Sequence, residues 1–341
     1  MPIRDGHHYA IQILRADGTE AGQHPASVDW APAREWVRWL ALRRGAPPAE
    51  ALLAEARIEA LWASDLGAPF IAGVVVAAVG AGDVEAVLPI EYFGDAAQTI
   101  ARDMVADKRL DDGEVFRYRP MAFAQAEPAA VATHSSAKAP DIVVLAGSPA
   151  PAADRSISEG DQDPDDARVL IPAEVLEETA ELTLEHSGVE TGGILIGHLR
   201  RDQSSNEVYL DVTAQIPARH TEGSATKLTF TPETWSDVRA AIALRRRGEI
   251  QLGSWHSHPV KAMCQCPPEK RPNGCPLGRG FFSADDKVLH RTVFSRAFNV
   301  GLVVSDIHDA PPAFALFGWR RGLIERRGFH RIGAMSDAIA G

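Results

Sequence analysis

Apolar and polar positions divide the chain into two patterned stretches with an unpatterned one between them. In the first stretch, His8-Tyr-Ala-Ile-Gln-Ile-Leu-Arg alternates with period two and runs into a turn at Ala16-Asp-Gly, which predicts a strand. Apolar residues then recur at helical spacing from Trp30 to Gly45. Asp29 is the candidate cap of that helix, Pro32 falls in its first turn and Gly45 stops it. Ala49 to Ala63 reads as another helix, Ile71–Val79 as a buried strand and Val84–Ile90 as a further strand. A helix from Gly94 to Lys108 and a final strand over Asp112–Arg119 complete the stretch. Residues 1–125 therefore read as a small α+β domain. Trp36 and Trp39, at helical spacing, read as core, and His7-His8 as an exposed terminal pair. No catalytic constellation stands out here, and the expected role is recruitment of a substrate or partner.

Residues 126–167 lose the pattern. Ala, Pro, Ser and then Asp dominate, as in Gly147-Ser-Pro-Ala-Pro-Ala-Ala-Asp. Such a composition buries too little apolar surface to offset its ordering entropy, so the segment reads as a flexible linker. Within it, Ile142-Val-Val-Leu-Ala is a candidate short strand that could dock on either domain.

Pattern returns over 168–330. Pro172–His186 places leucines at helical spacing and stops before Gly188. Strands are expected at Gly192–Gly197, Glu207–Ile216 and Leu228-Thr-Phe-Thr, followed by a helix over Pro232–Arg247. Gln251–His256 reads as a strand, Val288–Phe298 as helix, and Asn299–Val304 and Phe314–Arg320 as the last strands, which leaves 331–341 as a tail. The strand and helix mixture makes this a second, α/β domain.

Composition narrows the functional classes. At 341 residues two domains are the natural expectation, and 45% apolar with 24% charged residues suits a globular protein. A net charge of −11 argues against nucleic acid or an anionic membrane as the main partner. The basic runs Arg245-Arg246-Arg247 and Arg320-Arg321 to Arg326-Arg327 read as solvated faces. The first residues turn polar at once, and the longest uncharged stretch, Ala68 to Gly80, is too short and Gly-interrupted to span a bilayer. Three cysteines do not make a secreted disulfide scaffold. A cytoplasmic protein is expected, and the Ala- and Arg-rich style points to a bacterial one.

The chemistry concentrates in 253–286. Leu252–Trp255 is a β-compatible run ending at Pro259, which places His256 and His258 at a strand end. Side chains two apart on a strand point the same way, so both imidazoles share a face. Two imidazoles and one carboxylate make a three-ligand zinc site with a fourth position for water. Asp286 is the candidate carboxylate, presented by a helix whose N-cap is Ser283, and Asp285 beside it is the second choice. Alone, a His-x-His pair is more often a solvated or satisfied pair than a metal site.

Three segments in this order extend that reading: Glu190-Thr-Gly-Gly-Ile-Leu-Ile-Gly, Trp-His256-Ser-His258-Pro and Ser283-Ala-Asp-Asp286. Together they resemble the JAB/MPN family with the JAMM metalloprotease motif, over roughly residues 168–325. The resemblance implies a cytidine-deaminase-like α-β sandwich and a catalytic zinc on His256, His258 and Asp286. It further implies Glu190 as the base that takes a proton from water and returns it to the leaving amine, and Ser283 as a donor to the oxyanion. A plain cap role for Ser283 stands beside that one. The implied activity is a deubiquitinase-like isopeptidase, cutting after the C-terminal Gly of a ubiquitin-like protein. Processing of a sulfur-carrier or ubiquitin-fold precursor, release of a small adduct from one, an endopeptidase for an unrelated protein and a non-catalytic scaffold are the alternatives. Conjugation-pathway proteins are the partners expected for the N-terminal domain. The connection between the His-x-His-Pro and the Ser is longer here than is usual in the family.

That connection holds every cysteine: Cys264, Cys266 and Cys275. With one further ligand, His290 being the candidate, they could fold the loop around a second, structural zinc. Thiols on a flap, or a redox-reactive pair, are the alternatives.

Overall fold

The computed structural model describes residues 3–64, 66, 69–82, 84–124, 130–131, 142–149, 156–219, 221–224, 227–267, 275–307 and 310–335. It is mixed α/β, mostly sheet with a few helices. Two compact units are present: Met1–Ile142 with Arg321–Leu323, and Val143–Arg320 with Ile324–Gly341. No helix among the described residues is long and apolar enough to cross a membrane.

The first unit contains β1 (Ile3–Asp5), β2 (His7–Arg15), β3 (Glu20–Ala26), α1 (Ala31–Arg43) and α2 (Pro48–Leu53). After these come β4 (Glu55–Trp62), β5 (Ile71–Val79), β6 (Val84–Pro89), α3 (Gly94–Ala106), β7 (Phe116–Ala124) and β8 (Ala130–Val131). The strands form a five-stranded sheet, β6-β5-β4-β1-β8, and a three-stranded one, β3-β2-β7. Trp36 and Trp39 are buried in the core, as the helical spacing predicts. Asp29 accepts a hydrogen bond from the amide of Ala31 at 2.9 Å at the entrance to α1, while Trp30 occupies the cap position itself. His8 is exposed.

The expected helix over Ala49–Ala63 is a correction. Only Pro48–Leu53 is helical, and the chain then turns extended. From Ala56 on, buried Ala56 and Ile58 alternate with exposed Arg57 and Glu59. That period of two lets β4 fill the gap between β5 and β1, and this outweighs the helix-forming character of its Ala, Glu and Leu. The expected strand over Asp112–Arg119 begins only at Phe116, because Gly113 is in a turn with φ +79°.

The second unit opens with β9 (Val144–Gly147), β10 (Ser156–Glu159), β11 (Val169–Pro172) and α4 (Ala173–Glu185). Then follow β12 (Gly192–Asp202), β13 (Val208–Pro217), β14 (Thr221–Ser224), β15 (Lys227–Phe230), α5 (Pro232–Arg245) and β16 (Ile250–His258). The short turn α6 (Val260–Met263), α7 (Ala284–Val293), β17 (Val300–Ser305), β18 (Ala313–Arg320), β19 (Leu323–Arg327) and β20 (Phe329–Ile332) complete it. One sheet runs β10-β20-β11-β13-β12-β16-β17-β18-β19, with β9 alongside the far end of β12, and β14 and β15 form a hairpin. α4 lies against β11, β13, β16 and β17. α5 and Phe294 cover Ile194 and Ile196 of β12. Gly253 is required where β16 and β17 run close, since a Cβ there would overlap the Val300 carbonyl.

Three expectations change here. The segment expected as linker holds two strands of this sheet, β9 and β10, so the unit starts at Val143 rather than 168. Residues 126–129, 132–141 and 150–155 of it lie outside the described residues. Phe314–Arg320 is not the last strand, and the expected tail begins inside β20, which pairs with β10 and β11. The basic run near 320 is not simply a solvated face. Arg320 bonds Asp166 at 3.0 Å through Nε, and buried Arg327 donates to the Ala167 carbonyl at 2.8 Å. These pairs join the end of the expected linker to β18 and β19, which short-range pattern does not reveal.

Candidate metal centre

β16 is an interior strand, hydrogen-bonded to β12 on one side and β17 on the other, so its C-terminal end is fixed on both flanks. Its period of two puts His256 and His258 on one face. Both are buried, and their Nε2 atoms lie 3.1 Å apart. The Asp306 amide donates to the His258 carbonyl at 3.2 Å, which ties the strand end to the residue after β17.

Asp286 reaches the same point from a helix start. Ser283 Oγ accepts from the Asp286 amide at 3.1 Å, and Asp286 Oδ2 accepts from the Ser283 amide at 2.7 Å, a closed capping box at the head of α7. The box holds Asp286 Oδ2 3.5 Å from His256 Nε2. One nitrogen from each histidine and one Asp286 oxygen all lie within 4.8 Å of one another, a group able to hold a metal ion. Asp285, the second choice, is exposed and is not part of it. Ser283 is a cap by its contacts. Its side chain also helps to hold the Asp286 carboxyl low.

Electrostatics separate these groups. Burial pushes the Glu190 carboxyl up to about 7, with the Asp286 charge adding to the rise and His256 opposing it. Burial and then His256 push His258 down to about 4. At Asp286 burial acts upward but is outweighed by His256 and by the bonds from Ser283, so this carboxyl sits well below its ordinary range. At neutral pH the group offers a neutral His258, an ionised Asp286 and a Glu190 balanced between its two forms.

Several contributors carry no signal in the sequence. Ser257, between the two histidines on the opposite face, donates its amide to the Thr191 carbonyl at 2.7 Å and accepts from the Thr191 amide at 2.9 Å through Oγ. This double contact fixes the residue next to Glu190. The Phe281 ring lies 4.5 Å from that of His258, and Phe282 lies 5.7 Å from His256 while stacking on Phe317 at 4.5 Å.

The cysteines come together as well. Cys264 and Cys275 are buried with Sγ atoms 3.1 Å apart, and the three sulfurs lie within 4.8 Å of one another. His290, the candidate fourth ligand, is elsewhere. It is buried among the rings of Phe282, Phe294 and Trp319 at 5.7–5.8 Å. A histidine in an apolar slot of α7 shares the element of Asp286 and not the loop of the thiols. Burial above all pushes it down to about 4.

No family model matches the chain, and no curated protein matches it. Among solved structures it is similar to the solution structure of a structural-genomics target protein from Desulfitobacterium hafniense. That likeness has 18% identity over 51% of this chain and 99% of the other, with a TM-score of 0.33.

Proposed function

We propose that the chain is a zinc-dependent metallo-isopeptidase acting after the C-terminal Gly of a ubiquitin-like protein. The observation that carries the reading is the convergence of His256, His258 and Asp286 beside a buried Glu190 whose carboxyl is pushed up to about 7. Donor atoms on a tetrahedral zinc, at bonds of about 2.0–2.1 Å, lie roughly 3.3–3.4 Å apart. The separations of 3.1 and 3.5 Å bracket that value. Buried imidazole nitrogens facing each other and a carboxylate suit a cation between them. His256, His258 and Asp286 would hold the ion, which supplies Lewis acidity and a nucleophile at neutral pH.

The remaining chemistry belongs to the chain. Glu190 titrates close to neutrality, so it can take the proton of an attacking water and return it to the leaving amine. Ser283 is the proposed donor to a developing oxyanion, a role that rests on the resemblance of the motif. Phe281 and Phe282 shield the histidines from bulk water, which strengthens each of these interactions. The choice of a ubiquitin-like substrate rests on the resemblance of the three motifs to the JAMM pattern, and recruitment of a conjugation-pathway protein is the role proposed for the first unit.

The test is zinc content and cleavage of a panel of ubiquitin-like conjugates, with wild type and His256→Ala side by side. Zinc-dependent cleavage that disappears in the variant is the expected result. Undiminished cleavage by the variant, or a wild type that takes up no zinc at this group, overturns the reading.

A further inference from the structure

Between His258 and Asp286 the chain leaves the sheet, and the two limbs of that excursion meet. Going out, Pro259 leads through α6 into Cys264 and Cys266. Coming back, Cys275 opens a single 3-10 turn, Pro276–Arg279, from which Gly280, Phe281 and Phe282 lead directly to the Ser283 cap. Residues 268–274, between the limbs, lie outside the described residues. The limbs touch through Cys264 and Cys275, with Val260 buried beside them and Cys266 and Leu277 packed against them.

Apolar packing accounts for one buried cysteine, since a thiol behaves as a small hydrophobe. It does not account for the chain's only three cysteines meeting at one point. A disulfide would use two sulfurs and leave the third without a task. None of the three is in a disulfide, and the Cys266 amide donates to Cys264 Sγ at 3.3 Å, a bond that disperses thiolate charge. Soft sulfur donors in a group of this size select zinc over hard cations.

We propose that Cys264, Cys266 and Cys275 bind a structural zinc ion, separate from the His256, His258 and Asp286 group, that clamps the two limbs together. The three thiolates supply three of the four ligands of a tetrahedral site, each thiol giving its proton to solvent as the ion binds. The clamp has a reason to exist here. Only the turn and Gly280 separate Cys275 from Phe281, whose ring lies on His258, and Phe282 follows before the cap that orients Asp286. Closing the excursion at the thiols therefore restrains the return limb against the histidines.

The test loads the full chain with zinc and then titrates it with an organomercurial, which displaces zinc from thiolates and leaves histidine and carboxylate ligands alone. A chromogenic chelator reads the release. The wild type and His256→Ala/His258→Ala are expected to release about one zinc per chain as the thiols are consumed, and Cys264→Ser/Cys275→Ser none. Cobalt in place of zinc is expected to give an intense sulfur-to-metal charge-transfer band that survives in the histidine variant and vanishes in the cysteine variant. Cys266→Ser, whose sulfur is only half buried, guards against misfolding: with circular dichroism unchanged, it too loses the band. Zinc release from the double cysteine variant, no release from the wild type, or an intact mass showing a Cys264–Cys275 disulfide in freshly purified protein each overturn the proposal. Because the histidine variant is read separately, loss of the proposed catalytic zinc and loss of the thiol zinc are distinguishable.

Discussion

The two units treat buried polar groups differently. Among the described residues of the first, Asp5 is the buried polar or charged side chain outside the aromatics, and it accepts from the His7 amide at 3.1 Å and the Tyr9 hydroxyl at 3.2 Å. The second buries Glu190, Glu249, His256, His258, His290, Asp306 and Arg327, among others. Some of these are structural: Glu249 takes two bonds from Arg245, at 2.6 and 2.8 Å, and Arg327 is held by Ala167. Burial alone does not mark a working site. Burial of several ionisable groups at one strand end, without charge-neutralising partners for each, does. By that measure the first unit packs around apolar side chains, whereas the second gathers ionisable groups at the end of β16.

The largest effect that sharpens this contrast is on rate. Glu190→Gln keeps the shape and removes proton exchange, so kcat is expected to fall by about 10²–10⁴-fold with zinc content and Tm unchanged. A steady-state assay paired with metal analysis checks it. Full activity in this variant would place the proton transfer elsewhere.

Next in size is a packing defect in the other unit. Trp36 is 1% exposed, and Trp36→Ala is expected to cost about 3–5 kcal/mol in a denaturant melt. Zinc per chain in the folded fraction should stay the same. A loss of zinc would break the division of labour between the units.

The third effect is a pH dependence, smaller and of definite sign. His290 is pushed down to about 4, so as pH falls below about 6.5 the unfolded chain takes up a proton that the folded one refuses. Stability present above pH 6.5 is therefore lost progressively towards pH 4, by about 2–3 kcal/mol at pH 4.5. Glu190, pushed up, acts in the opposite direction between its ordinary value and about 7, and comparison of two proteins that share it cancels that contribution. His290→Phe fills an aromatic slot between Phe282, Phe294 and Trp319. Urea melts of chelated protein at pH 7 and 4.5 should show the variant equal to wild type at the first and more stable at the second. Parallel pH curves would show that His290 is not the cause.

How much of this was legible beforehand depends on how local the information is. The His256-x-His258 face follows from strand period alone, and the choice of Asp286 over Asp285 follows from the cap, since only the third helical position reaches back to Ser283. β4 was misread because its Ala, Glu and Leu have helical propensity while its place is set by β5 and β1, neighbours far away in sequence. β9 was visible as the short apolar run from Ile142, while β10 and β20 are not expected from pattern: short strands with weak patterns exist because the sheet has open edges for them. His290 carries the right chemistry for a ligand, but its surroundings, set by Phe282 and Trp319, assign it to the core.

Ser257 is the sharpest instance, and it yields the smallest predicted effect. Nothing in a serine between two histidines announces that its hydroxyl accepts from an amide 66 residues earlier. Ser257→Ala removes that acceptor and leaves the amide bond from Ser257 to the Thr191 carbonyl intact. The loss of one neutral hydrogen bond is expected to cost about 1 kcal/mol. Its kinetic consequence separates positioning from plain stability. If the contact orients Glu190, kcat falls severalfold while zinc content and KM hold, and Ser257→Thr, which restores a hydroxyl, recovers most of the loss. If Ala and Thr variants lose stability without a change in kcat, the bond only staples β16 to the turn before β12. The approach of Glu190 to the metal group would then be set by the backbone of that turn alone.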